Sequence, residues 1–126
     1  MHKNPPSHPP LPLTGTNWTL SGIHARETVS SVIAGSSVTA VFEPAGNLAG
    51  SAGCNRYFGG YMANGTSMTI SNTGSTKMMC HDPGVMSQES VYLATLASVA
   101  RYQINGTLLV LLDSNGTTIL TFAGQL

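Results

Sequence analysis

The stretch RYQINGTLLVLLDSNGTTILTFA, residues 101–123, sets the fold class. It holds three short runs suited to strands, 101–104, 107–113 and 117–123, parted by Asn105-Gly106 and Asn115-Gly116. Asn-Gly suits a type I′ hairpin turn, because both central residues of that turn need positive φ. Leu108 to Leu112 is apolar at every position, which predicts a strand covered on both faces. The C-terminal end therefore reads as an antiparallel meander.

The same punctuation recurs upstream. Asn64-Gly65 and Pro44-Ala45-Gly46-Asn47 mark further turns, and strands are expected at 17–23, 38–43, 47–52, 58–63 and 67–71. Val38, Ala40 and Phe42 alternate with polar or outward positions, as a half-buried strand requires. One segment breaks this rhythm. Asp82-Pro83 fits an N-cap followed by the first helical residue, and Val85, Glu89, Tyr92, Leu96 and Val99 recur at helical spacing. Met86 and Leu93 widen that stripe, so one amphipathic helix is predicted at 84–99, lying across the sheet or plugging the mouth of a barrel. The expected fold is mainly β: an antiparallel, lipocalin-like barrel of about eight short strands, whose closure removes exposed edges.

Residues 1–13, MHKNPPSHPPLPL, are set apart by composition. Their prolines forbid helix and disfavour sheet, leaving a polyproline-like leader or linker ahead of a domain at 14–126. Such a leader serves as a spacer, or as a ligand for an aromatic-lined groove. His2 and His8 belong to it and are read as composition, not as metal ligands.

Of the 126 residues only 8% are charged, well below the usual level of about 25%, and five basic side chains balance five acidic ones. No net field is available to steer nucleic acid or an anionic membrane, so a nucleic-acid partner is not expected. No run reaches the roughly 18–20 apolar residues of a membrane span, and residues 1–13 lack a signal-peptide core. If the natural protein is exported, this chain is a mature or excised piece, and a membrane tether could lie upstream of it.

The most unusual stretch is GSAGCNRYFGGY, residues 50–61. Glycines flank Cys54-Asn55-Arg56, so the backbone is expected to bend sharply or approach another segment closely. Asn55 can hydrogen-bond nearby backbone, and the Arg56 fork could hold a carboxylate. An Arg56 pair with Asp82 or Glu89 would brace this loop against the helix. Trp18, Tyr57, Phe58 and Tyr61 could line a ligand cavity, although aromatics at strand spacing usually belong to the core.

Four pieces in order resemble the META domain, also called HslJ-like, family of bacterial envelope proteins. They are Thr16-Asn17-Trp18-Thr19-Leu20; the block Gly53-Cys54-Asn55-Arg56-Tyr57-Phe58-Gly59; Ser75-Thr76-Lys77-Met78-Met79-Cys80; and the helix followed by a terminal hairpin. The resemblance implies a compact antiparallel barrel with one helix, an extracytoplasmic or lipoprotein setting, and a loose link to heat shock, antibiotic tolerance and secretion. It carries no catalytic residues. It also points to a disulfide between Cys54 and Cys80, the direction an even cysteine count in an exported domain favours. Two buried free thiols, or one reactive thiol, are the alternatives.

Chemistry-bearing groups are otherwise sparse. His81 adjoins Cys80 but points away from it in an extended chain, and nothing places His24 near either sulfur. Cys80-His81-Asp82 lacks the paired spacing of a metal site. The carboxylates Glu27, Glu43, Asp82, Glu89 and Asp113 form no close pair in sequence. Asn17, Asn64, Asn105 and Asn115 each begin an Asn-x-Thr glycosylation pattern, three of them explained already by turn chemistry. No cofactor, metal or catalytic centre is expected. The expected role is a monomeric, non-catalytic envelope module that binds a protein or peptide partner. The alternatives are a small-ligand binder using the barrel interior, and a cysteine-dependent enzyme or redox protein.

Overall fold

The computed structural model describes residues 10–25 and 28–126. Among these described residues nine antiparallel strands form one sheet: β1 Asn17–Ala25, β2 Thr28–Ser31, β3 Thr39–Phe42, β4 Asn47–Ser51, β5 Arg56–Asn64, β6 Ser67–Ser75, β7 Arg101–Asn105, β8 Leu108–Leu112 and β9 Thr118–Gln125. A single helix, α1 Pro83–Leu96, interrupts the meander between β6 and β7. β1 pairs with β9 from Asn17↔Gln125 to Ile23↔Leu120, and this pairing closes the ring. On its other side β1 meets β3 at Trp18 and Thr19, then β2 from Gly22 onward. The barrel is therefore a ring of eight strands, with β2 a short flap that shares β1. The β6–β7 seam is its thinnest, holding Ser67↔Arg101 and flanking bonds from Met68 N–H to Ala100 O and Tyr102 N–H to Thr66 O.

The interior is filled by the chain's own side chains. Trp18, Phe42, Tyr57, Tyr92, Leu109, Leu111, Leu120 and Phe122 are fully buried. At about 25 cal/mol per Å² of apolar surface, burying each of these large residues contributes on the order of 2–3 kcal/mol before entropy is subtracted. Close strand approach is part of the same packing. At Gly50 a Cβ would lie 2.7 Å from the backbone carbonyl carbon of Thr39, so β3 and β4 meet only because that side chain is missing.

The helix starts as its sequence indicates. Asp82 Oδ1 accepts from Gly84 N–H at 2.8 Å and Val85 N–H at 3.4 Å, and Pro83 occupies the first turn. It ends at Leu96 instead of residue 99. There the chain tightens into i→i−3 bonds from Ala97, Ser98 and Val99, which keep Val99 on the core without continuing the helix.

Several expectations need correction. The Asn64-Gly65 and Asn105-Gly106 turns are not type I′. Asn64 pairs with Ser67 and Asn105 with Leu108, so glycine is the first central residue, with φ 62° in both, which is the type II′ pattern. β8 is not covered on both faces: Leu109 and Leu111 point inward, while Leu108 is 39% exposed. The strand β2 was not anticipated. Residues 1–9 lie outside the described residues, but Leu11 and Leu13 pack against the core, because two leucines among prolines still have apolar surface to bury.

Candidate functional site

β4 ends and β5 begins at a tight corner, Ala52 to Arg56, directly under α1. Gly53 has φ 117°, a conformation costly for any other residue, and a Cβ there would meet Val85 of α1 at 3.4 Å. The corner thus brings the backbone close to the helix and aims the next two N–H groups at it. Glu89 receives them: its Oε1 accepts from Cys54 N–H at 3.1 Å and Asn55 N–H at 2.6 Å. Its Oε2 accepts from Asn55 Nδ2 at 2.7 Å. Glu89 is only 5% exposed, so its charge is held by three N–H donors and not by a cation.

Asn55, 2% exposed, is the hub of the site. Nδ2 faces two acceptors, Glu89 Oε2 and Met78 O at 3.2 Å, while Oδ1 faces two donors, Thr76 Oγ1 at 2.9 Å and Met78 N–H at 2.7 Å. This arrangement fixes which way the amide points. The side chain acts as an extra peptide group, binding both polar backbone atoms of Met78 much as a neighbouring strand would. The disulfide between Cys54 and Cys80, with Cα atoms 6.0 Å apart, ties the same two segments a second time. Two tyrosines complete the helix contact: the Tyr57 and Tyr92 hydroxyls are 2.6 Å apart, and Tyr57 OH also donates to Thr39 O at 2.7 Å. Burial pushes both phenols above their ordinary range, more than the shared hydrogen bond can offset for Tyr57.

Of the residues singled out from sequence, Gly53, Cys54, Asn55, Tyr57 and Cys80 meet here. Arg56 and Phe58 do not. They flank inward-facing Tyr57 on a strand, so both point outward, and Phe58 is 57% exposed. The expected brace between loop and helix exists, but Asn55 supplies it where Arg56 was expected. Trp18 and Tyr57 are core residues, and Tyr61 packs edge-on against Phe42 at 5.0 Å. Among the described residues both cysteines are bridged, and no three His, Cys, Asp or Glu side chains gather as a metal site would need. The sequence reading missed Thr76 and Met78 as partners of Asn55. It offered Glu89 only as a possible partner of Arg56, although an acid inside the stripe Val85, Tyr92, Leu96 signalled a buried carboxylate in need of donors.

The site holds two exposed side chains in a fixed frame. Met78 and Met79 are 58% and 86% exposed on a segment whose backbone is bound by Asn55 and Cys80. On the Gly84, Gln88 and Val91 face of α1, the helix and the β1–β2 flap border a cleft of about 430 Å³, lined also by Ile23 and Ile33. Gln88 spans its base, with Oε1 accepting from Ile33 N–H at 2.8 Å.

The comparisons agree with this architecture. The META domain family model matches residues 11–125. A protein from Burkholderia xenovorans solved by NMR is 26% identical, with a TM-score of 0.75 and 99% of each chain covered. A DUF4847 family protein from Bacteroides vulgatus, 22% identical with a TM-score of 0.52 over 68% of this chain and 57% of that one, shares the fold alone. A search of the curated proteins finds no match. With the Gly-Cys-Asn corner, the Met-x-Cys segment and the single helix all in place, this chain belongs to the META domain family.

Proposed function

We propose that this protein is an extracytoplasmic binding module that docks a protein or peptide partner through the helix-capped mouth of its barrel. The observation that carries the reading is the pair Met78-Met79, held in a rigid frame yet left open to solvent. Thioether side chains adapt to varied apolar surfaces, and a pre-ordered backbone lowers the entropy lost on association. The Cys54–Cys80 bridge favours an oxidising compartment such as the periplasm, the cell envelope or the exterior. A stress- or secretion-related role rests on the family resemblance. The rival reading, a small ligand inside the barrel, gains no support from an interior occupied by Trp18, Tyr57, Tyr92 and Phe122.

Site-specific photocrosslinking in the native host tests the proposal. A photoreactive residue at Met79 should give a defined adduct, absent when the residue is placed at the exposed Asn115 turn and lost on Met78→Ser with the probe still at 79. Equal capture from positions 79 and 115 would overturn it.

A further inference from the structure

The opposite mouth of the barrel is crossed by the chain's own residues Pro10 to Leu13. Leu11 N–H donates to Gly106 O at 2.9 Å, the main-chain anchor of the strap, since Pro10 and Pro12 have no N–H to offer. The strap's carbonyls are read by side chains. Thr16 Oγ1 donates to Pro12 O at 2.6 Å, and Trp18 Nε1 donates to Leu13 O at 3.0 Å. Thr16 and Trp18 are both fully buried, and the strap supplies the acceptor for each. Leu11 is seated in a notch that depends on a missing side chain. A Cβ on Gly124 would lie 2.9 Å from Leu11 Cδ1 and 2.7 Å from Trp18 Cε3. A cleft of about 600 Å³ follows the strap from Pro10 to Leu13, and one of about 380 Å³ opens at Leu13; Tyr102 borders both, and Tyr61 walls the smaller one.

Aromatic walls combined with buried donors aimed at carbonyls are the means by which proteins hold proline-rich chains, which expose many acceptors and few donors. We infer that this groove is a recognition site for an extended Leu-Pro-Leu segment, occupied in cis by residues 11–13 and able to take the same segment from a second copy of this chain. The second copy is the fitting occupant because the seat already matches this sequence atom by atom. Exchange would replace each contact with its equal. Just beyond the strap Gly15 turns the chain at φ 80° and donates its N–H to Phe42 O at 3.3 Å, so exchange moves the strap alone and leaves this bond as the pivot. In the unaltered chain the cis segment competes at high effective concentration and keeps the groove filled. This site lies at the other end of the barrel from Met78, and its test is independent of that reading.

Trp18 is the single tryptophan, so strap release can be followed by its emission. The full-length Leu11→Asp variant should show a red-shifted emission with unchanged far-UV circular dichroism. A fluorescein-labelled peptide of residues 4–13 should bind it at least tenfold more tightly than it binds the unaltered protein. A peptide with every proline replaced by alanine should not bind. Mixing Leu11→Asp, which has a free groove, with Tyr102→Ala, which has a damaged groove and an intact strap, should give a one-to-one heterodimer by light scattering. Each variant alone should stay monomeric. Leu11→Ala serves the same purpose should the aspartate prevent folding. No peptide binding by either folded Leu11 variant would overturn the groove, and peptide binding without heterodimer formation would overturn the second copy as its occupant.

Discussion

Replacing Asn55 by Asp changes one NH2 to oxygen and nothing in shape, yet it should convert the site into a pH-dependent weak point. In the native protein Asn55 Nδ2 lies 2.7 Å from Glu89 Oε2 and 3.2 Å from Met78 O. In Asn55→Asp two carboxylates share that 2.7 Å contact inside the protein, where like charges cannot both persist. The folded state must hold one proton between them. The sign follows directly. The folded pair keeps a proton that the unfolded chain releases above the ordinary carboxylate range of about 4, so stability is retained below that pH and lost as pH rises. Each pH unit over which the folded pair keeps that proton costs about 1.4 kcal/mol, at most about 4 kcal/mol by pH 7. Losing the donor to Met78 O adds about 1 kcal/mol at every pH. Urea unfolding followed by Trp18 emission should therefore show a deficit of up to about 5 kcal/mol at pH 7 that shrinks to about 1 kcal/mol at pH 4. The double variant Asn55→Asp, Glu89→Gln exchanges amide and carboxylate and restores the pairing. Its Oε1 still accepts the Cys54 and Asn55 N–H groups, so its deficit should stay near 1–2 kcal/mol and be independent of pH. A pH-independent loss in the single variant, or no recovery in the double, would refute the assignment of Asn55 as hub.

Three further outcomes are expected. Thiol titration of native protein should find no free thiol before reduction and two after it, and the Cys54→Ser, Cys80→Ser variant should fold with a loss of about 3 kcal/mol, because Asn55 still joins the two segments. Gly50→Ala should cost about 3 kcal/mol or more, since a rigid backbone carbonyl blocks the new Cβ, whereas Gly65→Ala at an open turn should cost about 1–2 kcal/mol from its positive φ alone; thermal melts compare the two. Phenolate absorbance should show Tyr57 and Tyr92 ionising only with unfolding. Their raised folded values mean that the stability they carry is full below pH about 10 and declines above it; reversible titration of all four tyrosines in the folded state would contradict this.

The legible parts of the fold were those written in local patterns: the helix stripe, its Asp82-Pro83 start and the hairpin spacing. What stayed hidden has physical causes. Asn-Gly-Thr can be threaded through a turn in two registers one residue apart, and only cross-strand pairing such as Asn105↔Leu108 selects one. A uniform run of apolar residues conceals its own alternation, so the exposure of Leu108 cannot be read from neighbours that look alike. The β2 strand, TVSS, is short and mostly polar, and it pairs with β1 alone. Arg56 attracted attention by its charge, but strand parity set by buried Tyr57 turns it away from Glu89.

The Gly53-Cys54-Asn55 corner looks like a cysteine motif, and its geometry says otherwise. The disulfide constrains one distance and acts largely by limiting the unfolded chain. Asn55 instead fixes orientation, because four bonds to Glu89, Thr76 and both backbone atoms of Met78 leave the amide a single pose. Gly53 makes that pose reachable by turning the backbone towards α1, and Glu89 makes it necessary by demanding donors for a buried charge. The three residues form one device assembled from two distant parts of the chain. Its output is the fixed presentation of Met78 and Met79, which a reduced protein should still display and an Asn55 variant should not.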